Sequence, residues 1–244
     1  MQNGQNKIYI NEIFGPTIQG EGPHAGMKCN FVRVACCDFS CSWCDTKSAW
    51  TRRNSMEYES GELGKKLTKY CLESKTSNIV LTGGNPCIYD FKTVVTYLKE
   101  HHINVDVETQ GSLLPEWLKE VNLIVFSPKP PSSGMKDVYN KLSTWLSESE
   151  NLPKVCIKIP IFNDEDIEFA HRYYDLVKEL KDKNKDIDLY LSVGNTDTRE
   201  EGDISSRVLS DYKLLIKKIC DSDFDKVFIL PQIHTLVWGN RPGV

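Results

Sequence analysis

A chain of 244 residues, 40% of them hydrophobic and 26% charged, has the make-up of a globular protein long enough to bury a real core. Its formal net charge of −4 and lack of a dense basic block give no electrostatic reason for nucleic-acid binding. The apolar runs are too short to span a bilayer and the polar start lacks the design of a signal peptide, so the cytoplasm is the expected compartment.

The first informative stretch is glycine-punctuated: Glu12-Ile13-Phe14-Gly15-Pro16-Thr17-Ile18-Gln19-Gly20-Glu21-Gly22 reads as a turn-rich entry segment. Asn30-Phe31-Val32-Arg33-Val34 then alternates as a strand and runs into a loop carrying Cys37, Cys41 and Cys44. Further strands are expected at residues 78–82, 104–108, 123–126, 155–159, 189–193 and 227–230, each closed by glycine or proline close behind it. Helical periodicity is clearest over 165–180 and 205–220 and weaker over 91–100. The Pro-rich piece from 128 to 131, followed by Ser132-Ser133-Gly134, is too short for an interdomain linker and reads as a loop. Strand–helix alternation of this kind predicts an α/β fold: one domain over residues 1–244, with about six parallel strands curled into a partial (β/α) barrel. In such folds the loops at the carboxyl ends of the strands build the site.

The cysteines carry the chemistry. Nine thiols in an odd, clustered arrangement do not look like a disulfide framework. In a reducing compartment clustered thiols suggest metal, and Cys29, Cys71, Cys87, Cys156 and Cys220 read as isolated structural groups. Cys37-x3-Cys41-x2-Cys44 offers three thiolates with no obvious fourth ligand. A structural zinc or an ordinary iron–sulfur cluster takes four. Three ligands leave one iron of a 4Fe–4S cubane open for chemistry; zinc binding and reduced thiols packed in a core are the alternatives. Spacing assigns Cys36 to packing. Thr82-Gly83-Gly84-Asn85-Pro86 lets backbone approach a ligand closely, or makes a plain strand-to-helix turn. Arg33, flanked by valines on an inner strand, suits a bidentate hold on a carboxylate.

The cysteine loop resembles that of radical S-adenosylmethionine (SAM) enzymes. Within that superfamily the chain is similar to the 7-carboxy-7-deazaguanine synthase family. The likeness is carried by residues 14–22, Phe31-Val32-Arg33, Cys44-Asp45-Thr46, Glu108-Thr109-Gln110-Gly111, Ser127-Pro128-Lys129-Pro130, Pro231-Gln232-Ile233-His234 and Trp238-Gly239-Asn240. The resemblance implies a 4Fe–4S cluster on Cys37, Cys41 and Cys44 whose open iron takes SAM, and cleavage of SAM to a 5′-deoxyadenosyl radical. That radical starts the contraction of 6-carboxy-5,6,7,8-tetrahydropterin to 7-carboxy-7-deazaguanine and ammonia. SAM would be touched by Trp43, Cys44, Asp45, Gly84, Ser127, Pro128, Lys129, Ser192, Val193, Gly194 and Asn195. The same resemblance assigns the substrate to Ile18, Gln19, Gly20, Glu21, Arg33, Thr82, Glu108 and the terminal carboxylate of Val244, the first of these forming a short N-terminal extension. It gives Mg²⁺ to Thr46, a hard oxygen donor of the type that ion prefers.

Asn85 departs from the Gly-Gly-Glu-Pro of most radical SAM enzymes, and Ser192 from a more usual Gln. Glu108 could instead cap a helix or pair with a lysine, and His234 could tune the site or sit satisfied in the interior. Relatives further suggest a homodimer and a flavodoxin or ferredoxin as electron donor. The rival readings are an activase that makes a glycyl radical on a partner protein and a non-catalytic zinc-binding adaptor.

Overall fold

The computed structural model describes residues 7–195, 204–241 and 243. Nine strands form one sheet: β1 (Lys7–Ile18), β2 (Lys28–Val34), β3 (Met56–Glu59), β4 (Asn78–Gly83), β5 (Asn104–Thr109), β6 (Leu123–Phe126), β7 (Lys154–Ile161), β8 (Ile187–Val193) and β9 (Phe228–Leu230). Their order is β3-β1-β2-β4-β5-β6-β7-β8-β9. From β2 to β9 every pairing is parallel, which makes seven parallel strands where about six were expected. The sheet stays open, with β3 and β9 at its edges. Among the described residues five α-helices join the strands, α1 (Ser60–Ser74), α2 (Lys92–Glu100), α3 (Tyr139–Glu148), α4 (Asp164–Asp182) and α5 (Ile204–Cys220), and α6 (Ile233–Trp238) follows β9. Among the described residues no helix is long and apolar enough to cross a membrane.

The entry segment corrects the sequence reading. Residues 12–18 continue a twelve-residue strand, β1, antiparallel to both β2 and β3. Gly15 and Pro16 do not end it: they fall at a register shift between Phe14 and Thr17, where Gly15 has a φ of 122° and the Gly15–Pro16 peptide is cis. An irregularity inside a strand uses the same residues as a turn.

Strand alternation divides the sheet's two faces cleanly. One face, which includes Val32, Leu81, Val107, Ile124, Ile157, Leu191 and their neighbours, is buried under the helices in the main core. Each such side chain removed from water stabilises the fold by about 1.5–3 kcal/mol. The opposite face starts apolar, with Phe31 and Val80 under Phe14 and with Leu123, Val125, Cys156 and Tyr190 together. It turns polar toward the carboxyl ends of the strands. Register places Arg33 beside Thr82, and the next pairings bring Glu108, Lys158 and Ser192 onto that same face.

Helix signals that the sequence shows are used. α4 is capped by Asn163, whose side chain accepts from Asp166 N at 3.0 Å, and carries three acids in its first turn and Lys181 in its last. Asp166 itself is fully buried, accepting from Ser132 N at 3.1 Å and Phe162 N at 2.9 Å. It thereby ties the loop after β6 to the end of β7. All nine cysteines are free; Cys29, Cys71, Cys87 and Cys156 are buried as small apolar groups, whereas Cys220 is exposed at the end of α5.

Candidate active site

The segment following β1 lies across the polar end of the sheet's inner face. Gln19 Nε2 donates to Glu108 Oε1 at 3.0 Å, and Thr82 Oγ1 donates to Glu108 Oε2 at 2.7 Å. Glu108 therefore caps no helix, and its hydrogen bonds go to Gln19 and Thr82. Its carboxylate joins three strands' worth of polar groups. Further along, Lys158 Nζ meets Glu21 Oε2, and Gln232 Nε2 donates to Glu21 Oε1 at 2.7 Å. Ile233 N donates to Gly20 O at 3.0 Å, closing the segment onto α6. Gly20 has to be glycine here, because a β-carbon would lie 2.2 Å from His234 Nδ1. His24 Nδ1 and Asp106 Oδ2 stand 2.5 Å apart and anchor the far end of the crossing.

These contacts set the charges. Burial alone would raise the Glu21 carboxyl, but the Lys158 ammonium, His234 and two hydrogen bonds outweigh it and hold Glu21 well below the usual carboxylate range. Burial likewise works to lower Lys158, and the charges of Glu21 and Glu108 overcome it and push it up. Asp106, buried on the same face, is raised by desolvation, only partly offset by His24.

The cysteine loop forms the other wall of the cleft. Ser42 N donates to Ser133 O at 3.0 Å and Ser42 Oγ to Ser132 O at 2.9 Å, so the loop after β6 holds the cysteine loop in place. Cys44 N donates to Cys41 O at 3.1 Å. Trp43 stacks on Phe162 with ring centroids 4.6 Å apart, Lys129 Nζ lies 5.6 Å from the Trp43 ring, and Trp43 Nε1 donates to Ser132 Oγ at 3.1 Å. Burial pushes the Cys37 thiol up to about 11, and raises Cys41 against the lowering effect of Lys129. Thiols held this way stay protonated until a metal takes the proton's place.

One cleft gathers nearly all of the expected residues. Cys37, Cys41, Cys44, Trp43, Asp45, Thr46, Gly84, Ser127, Lys129, Ser192, Gly194 and Asn195 line it together with Ile18, Gln19, Gly20, Glu21, Arg33, Thr82 and Glu108. Pro128 does not line it, and Val193 turns its side chain into the helix-covered core. Only the Val193 backbone is left for a ligand. Val244 lies outside the described residues. Lys158, Gln110, Phe162 and Gln232 also line the cleft and were missed. Lys158 carried a usable signal, since it sits between Ile157 and Ile159 on an inner strand just as Arg33 sits between valines.

The residues fit a cluster with an open position. The three thiols open on one cleft beside a lysine, and Gln110 Nε2 lies 3.9 Å from Cys37 Sγ, within reach of a weak hydrogen bond. Among the described residues no three His, Cys, Asp or Glu side chains converge as a single metal ion requires. A cubane has no need of such convergence, because each thiolate binds a different iron. Thr46 Oγ1 donates to Asp45 Oδ1 at 2.8 Å and accepts from Arg33 Nη1 at 3.2 Å, so two oxygens are grouped beside a cation at the cleft.

Comparison with known proteins agrees with this geometry. Residues 18–119 match the family model described as a 4Fe-4S single cluster domain. The 7-carboxy-7-deazaguanine synthase of Bacillus subtilis (strain 168) is 38% identical to the chain, covering 97% of it and 98% of itself. The 7-carboxy-7-deazaguanine synthase of Bacillus cereus is 34% identical, covering 98% of this chain and 100% of its own. The crystal structure of QueE from Escherichia coli shares the fold, with a TM-score of 0.68 at 23% identity over 93% of this chain and 95% of that one.

Proposed function

The chain belongs to the 7-carboxy-7-deazaguanine synthase family, and from that premise we propose that it contracts 6-carboxy-5,6,7,8-tetrahydropterin to 7-carboxy-7-deazaguanine with release of ammonia. The observation that carries this reading is a single cleft with three cluster thiols on one wall and the Arg33–Thr82–Glu108 row with Gln19 and Glu21 on the other. Family membership decides against the activase and the zinc adaptor.

When bound, the cluster and SAM supply an electron and a carbon-centred radical, and Mg²⁺ supplies a Lewis-acid hold on the substrate carboxylate. The chain does the rest. Arg33 and Thr46 face the carboxylate end of the pterin, the guanidinium by charge-assisted hydrogen bonds and the hydroxyl as an Mg²⁺ ligand. Glu108, with lone pairs left after accepting from Gln19 and Thr82, receives N–H groups of the pterin's amino-pyrimidinone edge. Gln19 and the Gly20 backbone complete that edge, and the Lys158–Glu21 pair fixes the segment that bears them. The Trp43–Phe162 stack and the backbone at Gly84 and Gly194 close the SAM side, with Ser127, Lys129, Ser192 and Asn195 as its polar contacts. Residues 1–244 act as one radical SAM core domain with an N-terminal substrate-binding extension. A low-potential flavodoxin or ferredoxin delivers the electron, and the enzyme works as a cytoplasmic homodimer.

The test is anaerobic turnover of the carboxy-tetrahydropterin by protein with its cluster reconstituted, with SAM, Mg²⁺ and a reductant present. Formation of 7-carboxy-7-deazaguanine and ammonia, followed by chromatography, is the expected result. A cluster-loaded protein that cleaves SAM yet leaves the pterin unchanged refutes the substrate assignment.

A further inference from the structure

Asn85 stands where the Gly-Gly-Glu-Pro loop of most radical SAM enzymes has its acid, and it does not line the cleft. It is fully buried. Its backbone N donates to Cys36 O at 2.8 Å, and its Nδ2 donates to Asp38 Oδ1 at 2.9 Å. One residue therefore grips the chain on both sides of Cys37. Its own side chain is fixed in turn: Oδ1 accepts from Cys87 N at 3.1 Å and from Thr109 Oγ1 at 2.9 Å, and Nδ2 also reaches Ser112 Oγ at 3.2 Å. Gln110 adds a second donor to Asp38 Oδ1 at 2.6 Å, from the same Nε2 that lies 3.9 Å from Cys37 Sγ.

The backbone around the grip leaves little freedom. Cys36 has a φ of 72°, a left-handed conformation that costs a residue with a β-carbon and persists only when its surroundings hold it. The carbonyl of Cys36 lies so close to the next strand's loop that a β-carbon on Gly84 would stand 1.9 Å from it.

We propose that Asn85 is a positioning residue for the iron–sulfur cluster: with Gln110 it locks Asp38 and the Cys36 carbonyl, and so fixes Cys37. An amide is required at this position because the partner is a carboxylate. Asp38 needs N–H donors, and an acid at 85 would set two carboxylates at hydrogen-bond distance with no donor between them. The inference rests on Cys37 being a cluster ligand.

The charge of this pair can be exchanged with the contacts among 85, 38 and 110 kept. In the double variant Asn85→Asp with Asp38→Asn, the residue at 85 still accepts from Cys87 and Thr109. Ser112 turns its hydroxyl to donate, and the new amide at 38 sets its Nδ2 where Asp38 Oδ1 stood, donating to 85 and to the Oε1 of a Gln110 side chain turned over to accept. The experiment measures iron and sulfide per chain and the electron paramagnetic resonance midpoint potential of anaerobically reconstituted wild type, Asn85→Asp, the double variant and Gln110→Ala. Asn85→Asp should lose most of its iron, the double variant should regain most of it, and Gln110→Ala should keep its cluster at a more negative potential, since hydrogen bonds to cluster sulfur raise it. Circular dichroism of each variant separates a loosened loop from an unfolded chain. A full cluster with unchanged potential in Asn85→Asp, or a double variant no better than the single, overturns the proposal. A wild-type protein that assembles no 4Fe–4S cluster overturns the underlying reading instead, and this inference with it.

Discussion

Arg33 and Glu12 face each other across the antiparallel pair of β1 and β2, with Arg33 Nε donating to Glu12 Oε1 at 2.6 Å. The guanidinium therefore comes to the cleft already oriented: one N–H is committed to Glu12 and another to Thr46, and the remaining N–H groups are engaged in neither of these contacts, on a side chain that lines the cleft. Arg33→Ala should weaken substrate binding by the loss of a charge-assisted contact, about 1.5–3 kcal/mol, while SAM binding persists. Arg33→Lys should recover little, because an ammonium lacks the fork. Glu12→Gln should give a smaller rise in KM, through orientation alone. Steady-state kinetics and SAM binding by calorimetry check all three; unchanged substrate affinity in Arg33→Ala would show that the ion pair serves only the sheet.

Thr46 offers its oxygen beside Asp45. Thr46→Ala should raise the Mg²⁺ concentration needed for turnover, and Thr46→Ser should restore it, since only the hydroxyl is required. An Mg²⁺ titration of pterin turnover reads this directly. Equal titration midpoints in all three proteins would remove Thr46 from the metal site.

Cys41→Ala should abolish cluster assembly, because two thiolates do not hold the cubane, whereas Cys220→Ser should leave iron content unchanged. The two thiols differ in setting: Cys41 lines the cleft and Cys220 is exposed at a helix end. Iron analysis and visible absorbance after anaerobic reconstitution decide it.

The Lys158–Glu21 pair is nearly out of water, the two side chains retaining 11% and 12% of their exposure. Lys158→Met should leave Glu21 as a buried, unpaired charge and destabilise the fold by about 3–5 kcal/mol. Adding Glu21→Gln should recover much of the loss. Glu21 is held low and Lys158 is pushed up, so the pair's contribution is complete between the ordinary carboxylate value of 4.5 and the ordinary lysine value of 10.5. It drains away as pH falls from 4.5 toward about 2, where Glu21 takes up its proton. Denaturant unfolding of wild type and the double variant across pH should show a constant gap in the middle range that closes in acid.

The parallel strands were legible because each is a short apolar run, all but β2 stopped by glycine or proline, and their bounds shifted by at most two residues at either end. What stayed hidden has physical causes. β1 was masked by Gly15 and Pro16, which serve an irregular strand and a turn equally well. β3, Met56–Glu59, is a short edge strand with alternating charge, and α1 carries Gly61 and Gly64 within a Lys- and Glu-rich pattern. Gly64 lets Tyr97 of α2 pack close, 3.1 Å from where a β-carbon would be. Most of the residues expected at the site came from the family resemblance, and they line one cleft in the structure. The contacts among them, such as Asn85 with Asp38 or Gln232 with Glu21, join loops that share no local pattern.

Glu21 waits for both of its partners: Lys158 comes 137 residues later in the chain and Gln232 comes 211 later. During synthesis the three cysteines leave the ribosome early, long before the residues that enclose them have been made. The cleft that the cysteines line is therefore complete only once Gln232 and α6 have been made.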